Sequence, residues 1–231
     1  METVRHVVIS GAAGALGAAV AEAFAAMGAQ VALLDRAPDA KGLDARLGAP
    51  HFFLGQVDLT DFGQAQRALA AVASQMGRID VLVNIAGGFR WETLAAGSPD
   101  TWDFLYDINL RTAVCASKAA LPHLTPRRGR IINVAAAAVT KAGMGMGAYA
   151  ASKAGVVKLT EALAEELKDQ EINVNAVMPS IIDTPTNRAE MPDADFSRWV
   201  APSALADVIV FLASAAARAI TGASIPVVGR V

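Results

Sequence analysis

A tyrosine and a lysine four residues apart are the residues in this sequence best suited to acid–base chemistry. Tyr149 and Lys153 lie in the segment GMGMGAYAASK at 143–153, which a strongly helical run follows. Four residues in an α-helix place two side chains on one face, one turn apart. An ammonium beside a phenol favours the phenolate, so Lys153 would lower the pKa of Tyr149 and make it a general acid/base. The alternative is an ordinary helix start, on which Tyr149 packs and the stem of Lys153 covers apolar surface.

A glycine-rich turn near the amino end could bind phosphate groups. Gly11, Gly14 and Gly17 directly follow the first apolar run, in the segment SGAAGALG. Glycine permits positive φ and lets a pyrophosphate approach the backbone N–H groups that begin a helix. Asp35 ends the next apolar run, and a carboxylate there can bind both adenosine ribose hydroxyls and repel a 2′-phosphate. The pattern therefore favours NAD(H), with NADP(H) as the alternative because Arg36 is adjacent; a tight turn with a solvated Asp35 is the structural alternative.

Apolar runs of strand length alternate with segments of helical period along the whole chain. The seven strand candidates are HVVIS, QVALLD, HFFLGQVD, DVLVNIAG, GRIINVAAA, INVNAVMP and ASIPVVG. Continuous apolar strands indicate burial on both faces by crossover helices, which predicts a doubly wound α/β (Rossmann) fold with a seven-stranded, mostly parallel sheet. We expect one domain over 1–231. The segment 180–201 shows no clear period and is expected to be a substrate loop or lid.

The composition argues against several classes of partner. The chain of 231 residues is 54% hydrophobic and 18% charged, with a net charge of −2, which gives no reason to expect nucleic acid or a membrane. A single cysteine, Cys115, rules out an internal disulfide and fits a reducing compartment, so a cytoplasmic protein with a small-molecule substrate is expected. The three histidines, His6, His51 and His123, lie far apart, and we expect no metal site.

Six motifs in order give the chain a resemblance to the short-chain dehydrogenase/reductase family over essentially its whole length. They are the glycine turn at 11–17, VD at 57–58, VNIAG at 83–87, IN at 108–109, YAASK at 149–153 and NAVMPSIIDT at 175–184. The resemblance implies a hydride-transferring enzyme. It also implies a homo-oligomer, a dimer or tetramer, packed through the helices that begin near residues 100 and 150.

The resemblance assigns a role to each matching position. Tyr149 would be the general acid/base, Lys153 would bind the nicotinamide ribose and lower the pKa of the tyrosine, and Asn109 would hold a water for proton relay. The cofactor-binding positions that it implies are Gly11, Leu16, Gly17, Asp35, Arg36, Asp58, Leu59, Asn84, Ala86, Gly87, Tyr149, Lys153, Ile182 and Thr184.

Three groups of cofactor contacts would come from separate parts of the chain. Asp58, with Leu59 beside it, would hydrogen-bond the adenine amino group. The end of the fourth strand, at 84–87, would line the cofactor ribose. Ile182 and Thr184 would bind the nicotinamide carboxamide.

The sequence departs from the family pattern at the catalytic serine. Thirteen residues before the tyrosine, where the family has that serine, stands Ala136, and no hydroxyl occurs between Asn133 and Thr140. Ala15 and Ser180, where the family usually has glycine, are smaller departures. Losing one donor to a developing oxyanion costs on the order of 2.7–4 kcal/mol. Either the substrate needs little polarisation, or the protein turns over slowly and acts as a dinucleotide-binding protein.

One branch of the family has a substrate that needs little polarisation. Quinonoid dihydropteridine reductases lack the serine, keep the tyrosine and lysine, and prefer NADH. The segment DTPTNRAEMPDADFSRW at 183–199 and AGGF at 86–89 resemble theirs, whereas Asn109 and VNIAG are typical of ordinary family members. Phe89, Trp91 and Trp199 could form an aromatic wall beside Ala136 for a planar substrate, or could simply cover the core beneath two loops.

Overall fold

A seven-stranded sheet forms the centre of the protein, and every neighbouring pair of strands is parallel. The computed structural model describes residues 6–40, 42–124, 126 and 129–231. The strands are β1 His6–Ser10, β2 Gln30–Leu34, β3 Phe52–Leu54, β4 Val81–Asn84, β5 Arg130–Val134, β6 Asn173–Pro179 and β7 Ser224–Val227. Their order in the sheet is β3-β2-β1-β4-β5-β6-β7. The predicted doubly wound α/β fold is confirmed.

Within the described ranges, eight α-helices connect the strands and cover both faces of the sheet. They are α1 Ala15–Ala26, α2 Leu43–Leu47, α3 Phe62–Met76, α4 Pro99–Tyr106, α5 Thr112–Ala120, α6 Gly147–Glu166, α7 Pro185–Glu190 and α8 Pro202–Ala213. A π-helical turn, Asp107–Arg111, joins α4 to α5 without a break. Among the described residues, no helix is long and apolar enough to cross a membrane.

Alternating residues of the buried strands fill two apolar cores. On one face, Val7 and Ile9 of β1 pack with Phe24 of α1 and Leu205 of α8. On the opposite face, Val8 belongs to the core that α3 and α5 cover. Burial on both faces explains why the strands are apolar throughout rather than alternating.

The segment 180–201 is more ordered than its sequence indicated. It contains α7 and a 3-10 turn, Phe196–Arg198, although no helical period could be read from it. Thr184 caps α7 by accepting a hydrogen bond from the backbone N–H of Asn187 at 3.2 Å. A single short helix with a good cap can form where too few turns exist to produce a readable period. That the segment acts as a lid stays a prediction.

The strand order reverses between β1 and β4, and this reversal positions the candidate site. In open parallel sheets, a crevice forms at such a point, beyond the carboxyl ends of the strands. The glycine turn follows β1, and residues 84–87 end β4 and lead away from it. The two segments therefore meet at the mouth of this crevice.

Candidate active site

The glycine turn lies against the end of β4 so closely that side chains are excluded. Gly11 has φ +68°, and a Cβ added there would lie 2.7 Å from the backbone nitrogen of Ala86. A Cβ at Gly17 would lie 2.3 Å from the carbonyl oxygen of Gly11. Ser10 ties the same two segments together, because its Oγ accepts hydrogen bonds from the N–H groups of Ile85 at 3.1 Å and Ala86 at 3.2 Å. The turn thus presents bare backbone at the amino end of α1.

Asp35 lies beside this turn. Its Oδ2 accepts a hydrogen bond from the N–H of Ala13 at 2.9 Å, and its Oδ1 accepts one from the N–H of Ala37 at the same distance. Arg36 is exposed, and Leu16 is buried in the core beneath the turn. The carboxylate is therefore held in a fixed position next to the glycine turn, while the guanidinium of Arg36 extends from the surface.

Asp58 is likewise held by its own turn. Its Oδ1 accepts hydrogen bonds from the N–H of Thr60 at 2.9 Å and from the hydroxyl of Thr60 at 2.7 Å. Its backbone N–H donates to Gln64 Oε1 at 3.1 Å. The Leu59 side chain is buried in the core, so Asp58 is the residue of this pair whose side chain offers polar atoms.

The side chain of Asn84 points into the protein rather than into the crevice. Its Nδ2 donates to Asn133 Oδ1 at 2.8 Å and to Ser117 Oγ at 3.0 Å, and Asn133 in turn donates to Thr160 Oγ1 at 2.8 Å. This buried network links β4 to β5, α5 and α6. These bonds give the Asn84 side chain an internal structural role, and lining of the cofactor ribose by 84–87 stays a prediction.

Asn109 fixes the turn that follows β4. It is 1% exposed and lies in the π-helical turn. Its Oδ1 accepts from the N–H of Gly88 at 2.9 Å, while its Nδ2 donates to the carbonyl of Gly88 at 3.0 Å and to Ser152 Oγ at 3.1 Å. The π-helical turn widens the helix at the position from which this side chain reaches two other segments.

Gly87 provides the space in which Asn109 and Lys153 approach each other. A Cβ added to Gly87 would lie 2.5 Å from Asn109 Oδ1 and 3.4 Å from Lys153 Nζ. Glycine is therefore required there by contact, although its φ is not positive. The structure brings together three of the predicted site residues at this point.

Lys153 is almost fully buried on the sheet side of α6. Its Nζ donates a hydrogen bond to the carbonyl oxygen of Val134, at the end of β5, at 2.8 Å. Burial lowers the pKa of Lys153 to about 8, because the ammonium loses its hydration. Among the contacts of the described residues, the Lys153 ammonium is the charged group that lies nearest to Gly87.

Tyr149 lies one turn before Lys153 on α6, as predicted. Its ring meets the ring of Phe89 edge to face, with centroids 4.9 Å apart and an angle of 86° between the planes. Burial raises the pKa of Tyr149 to about 12. The expected lowering by Lys153 is thus wrong for this structure, because loss of hydration around the phenolate outweighs any attraction from the buried ammonium.

Ala136 occupies the place of the family serine and is buried. It is the second residue after β5, and the residue between, Ala135, packs in a small apolar cluster with Val156. Thr140 lies exposed, beyond the 3-10 turn Ala137–Val139. The structure therefore gives no sign that the Thr140 hydroxyl replaces the missing one.

The predicted aromatic wall is only partly formed. Phe89 and Trp91 are exposed, and the Trp91 indole donates a hydrogen bond to the carbonyl of Met144 at 2.9 Å. The Trp91 ring lies over Gly145, where an added Cβ would be 2.2 Å from it. Trp199, in contrast, is 8% exposed and packs on Phe196 with centroids 4.8 Å apart. Trp199 is therefore much less exposed than Phe89 and Trp91, and its part in the wall stays a prediction.

Ile182 and Thr184 lie at the start of that segment. The backbone N–H of Asn187 is bonded to the Thr184 hydroxyl, and Asn187 Nδ2 donates to the carbonyl of Ile182 at 2.7 Å. Asp183, between them, forms a two-bonded ion pair with Arg188. Thr184 is thus engaged as a helix cap and keeps its hydroxyl hydrogen as a donor.

Sequence reasoning missed two serines of the site, Ser10 and Ser152. Both are buried and both join segments that are distant in sequence. The signal for Ser152 was available, since it lies three residues after Tyr149 on a helix face that was already singled out. The described residues contain no group of three or more His, Cys, Asp or Glu side chains that could hold a metal ion.

Comparisons with known proteins agree with this arrangement. The family model described as short chain dehydrogenase matches residues 5–195. The meso-2,3-butanediol dehydrogenase of Serratia marcescens is 35% identical and covers 96% of this chain and 92% of its own. The 3-oxoacyl-[acyl-carrier-protein] reductase of Thermotoga maritima is 34% identical, covering 96% and 95%.

A solved structure resembles the whole chain closely. A short chain dehydrogenase from Burkholderia cenocepacia, in complex with NADP, has a TM-score of 0.91 at 31% identity and covers 98% of this chain and 97% of its own. The likeness extends over the glycine turn, the strand ends and α6.

Proposed function

Because the chain belongs to the short-chain dehydrogenase/reductase family and is an NAD(P)-dependent oxidoreductase, we propose that it transfers hydride between NAD(H) and a small activated carbonyl or quinonoid substrate, with Tyr149 as general acid/base. The observation that carries the proposal is the pairing of Tyr149 and Lys153 on α6 with a buried Ala136 where the family has serine. Such a site keeps its proton donor and lacks one oxyanion donor.

The residues of the crevice fit a dinucleotide. Bare backbone at Gly11 and Gly17, where added Cβ atoms would collide, lies at the amino end of α1 and suits a pyrophosphate. Asp58 would bind the adenine, Ala86 and Gly87 would lie along the ribose, and the backbone around Ile182 and the hydroxyl of Thr184 would hold the carboxamide. When bound, the nicotinamide supplies or accepts the hydride.

Tyr149 is suited to donating a proton. With its pKa raised to about 12, the phenol keeps its proton at neutral pH and can deliver it to the reduced substrate. Proton abstraction from an alcohol would require a phenolate, which this environment disfavours. Burial therefore keeps the phenol in the protonated form that reduction needs, and Lys153 beside it would bind the nicotinamide ribose.

The absent serine limits the substrate class. An unactivated ketone would develop charge on its oxygen with one hydrogen-bond donor fewer, at a cost on the order of 2.7–4 kcal/mol. A quinonoid ring or an adjacent dicarbonyl delocalises that charge itself and needs less help. Ala136 thus favours acceptors that are already electrophilic, and a quinonoid dihydropterin is one member of that class.

Asp35 supports NAD(H) over NADP(H). Its carboxylate is fixed beside the glycine turn and would repel a 2′-phosphate on the adenosine ribose. Arg36 is the feature that favours NADP(H), the cofactor bound to the Burkholderia cenocepacia relative. The fixed carboxylate is the stronger argument, because two backbone N–H groups hold it in place while Arg36 is exposed.

Steady-state oxidation of NADH and NADPH with a panel of acceptors tests the proposal. The panel contains a quinonoid dihydropterin, a diketone and a simple ketone. We expect NADH to be preferred, and the first two acceptors to be reduced at least about a hundredfold faster than the simple ketone. Reduction of the dihydropterin alone would identify a pteridine reductase-like enzyme. Tight NADH binding without turnover of any acceptor would contradict the proposal and indicate a dinucleotide-binding protein.

A further inference from the structure

Ser152 joins the helix that carries Tyr149 to the turn that carries Phe89. Its hydroxyl accepts a hydrogen bond from Asn109 Nδ2 at 3.1 Å and donates one to the carbonyl oxygen of Tyr149 at 2.8 Å. The side chain is 5% exposed. The hydroxyl hydrogen and one oxygen lone pair of Ser152 are therefore both used in hydrogen bonds inside the protein.

Asn109 extends the hydrogen-bonded connection from Ser152 to Gly88. Its amide bonds both the N–H and the carbonyl of Gly88, at 2.9 Å and 3.0 Å, as a second peptide group would. The three bonds of Asn109 fix the orientation of its amide, because Nδ2 has two acceptors, Gly88 and Ser152, and Oδ1 has one donor. Removing the Ser152 hydroxyl would leave one amide hydrogen of a fully buried asparagine without its acceptor.

Phe89 is the next residue after this clamped glycine. Its ring stands edge to face on the ring of Tyr149 although half of its surface is exposed. An exposed aromatic side chain on a loop has several rotamers available, and its backbone anchor decides which surface it covers. The anchor of Phe89 is the pair of bonds from Asn109 to Gly88.

From these contacts we infer that Ser152 is a positioning residue, which acts through Asn109 and Gly88 to hold Phe89 against Tyr149. Phe89 is then the residue that shapes the substrate side of the tyrosine. This inference rests on the proposed function for its effect on catalysis, but its structural part is independent of turnover.

Hydrogen exchange of the free protein tests the structural part. In Ser152→Ala, amide exchange in the segment 86–91 is expected to be about tenfold faster, because a buried hydrogen bond that orders Asn109 is lost. Thr160→Val is the matched control: it removes a buried hydroxyl from the same helix, but one bonded to Asn133 and Val156. The control should leave exchange at 86–91 unchanged. Ser152→Thr, which keeps the hydroxyl, should restore slow exchange.

A double-mutant cycle tests the catalytic part. Ser152→Ala is expected to lower kcat/KM for the acceptor roughly fivefold to tenfold, with most of the loss in KM. In the Phe89→Ala background the same substitution should have no further effect, because the residue that it positions is gone.

Two results would overturn the inference. Unchanged amide exchange at 86–91 in Ser152→Ala would show that the hydroxyl does not order this turn. That result can be obtained whether or not the protein reduces any acceptor. Equal losses from Ser152→Ala with and without Phe89 would show that the serine acts through the helix instead.

Discussion

Burial acts on the pKa values of Tyr149 and Lys153 in opposite directions, since each residue is driven toward its neutral form. The pKa of the phenol rises to about 12, and the pKa of the ammonium falls to about 8. The spacing of the two residues could be read from the sequence, because four residues define one helical turn. Their desolvation could not, because it depends on β5 and on the ring of Phe89, which are brought to α6 only by the fold.

The buried lysine makes the stability of the fold depend on pH. Between about pH 8 and the ordinary lysine value of 10.5, the unfolded chain binds the proton that the folded protein has released, so the free energy of unfolding rises with pH. Lys153→Met should lack this rise, which amounts to roughly 2–3 kcal/mol. Urea unfolding at pH 7.5 and pH 9.5 measures the difference. Lys158→Met, at an exposed position of the same helix, is the control, and an unchanged slope in Lys153→Met would contradict the burial argument.

Replacing Ala136 with serine restores the hydroxyl of the family pattern and tests whether its absence limits the substrate class. Ala136→Ser should raise kcat/KM for a simple ketone by about a hundredfold and change the rate with a quinonoid acceptor much less. The NADH oxidation assay measures both. An equal gain with both acceptors, or none with either, would mean that oxyanion stabilisation does not distinguish the substrates of this site.

Among the structural elements, those with long buried or periodic segments could be predicted and the short ones could not. The seven strands and the glycine turn follow from apolar runs and from glycine spacing. The single-turn helix α7 and the π-helical turn at Asp107–Arg111 have too few residues to show a period. The inward direction of Asn84 depends on which sheet face meets α5, and the burial of Trp199 depends on how 183–199 folds. Neither is a property of the local sequence.

The glycine turn provides a test of close packing within one element. Gly17→Ala places a Cβ 2.3 Å from the carbonyl oxygen of Gly11 and should destabilise the protein by about 1–3 kcal/mol. Gly14→Ala is the matched control, because the nearest atom to its added Cβ is 3.4 Å away. Thermal unfolding should show a lowered Tm for Gly17→Ala alone. Equal Tm values for the two variants would mean that the turn tolerates the contact by moving.

On the scale of the whole molecule, α4 presents an aromatic surface. Trp102 and Tyr106, four residues apart on one face of this helix, are both exposed, whereas Phe104 lies on another face beneath the guanidinium of Arg90. Exposed aromatic clusters mark interaction sites more often than single exposed apolar residues do. Which aromatic residues of α4 stay uncovered could not be read from the sequence, because that depends on how α4 packs on α6.

We expect this surface to be covered in solution by a second copy of the chain. Multi-angle light scattering should give a mass of at least twice the 23.8 kDa of one chain. Trp102→Asp should lower that mass or weaken the association, since a buried unpaired charge at an interface is costly. A monomeric mass for the unmodified protein at micromolar concentration would contradict the expectation.

The central claim is that the phenol of Tyr149 delivers the proton, and replacing it tests that claim most directly. The chain has two tyrosines, so Tyr106→Phe on the exposed face of α4 is the matched control. With an acceptor that the unmodified protein reduces, Tyr149→Phe should lower kcat by about a hundredfold or more while NADH affinity stays the same, and Tyr106→Phe should leave kcat unchanged. Full turnover in Tyr149→Phe would contradict the account.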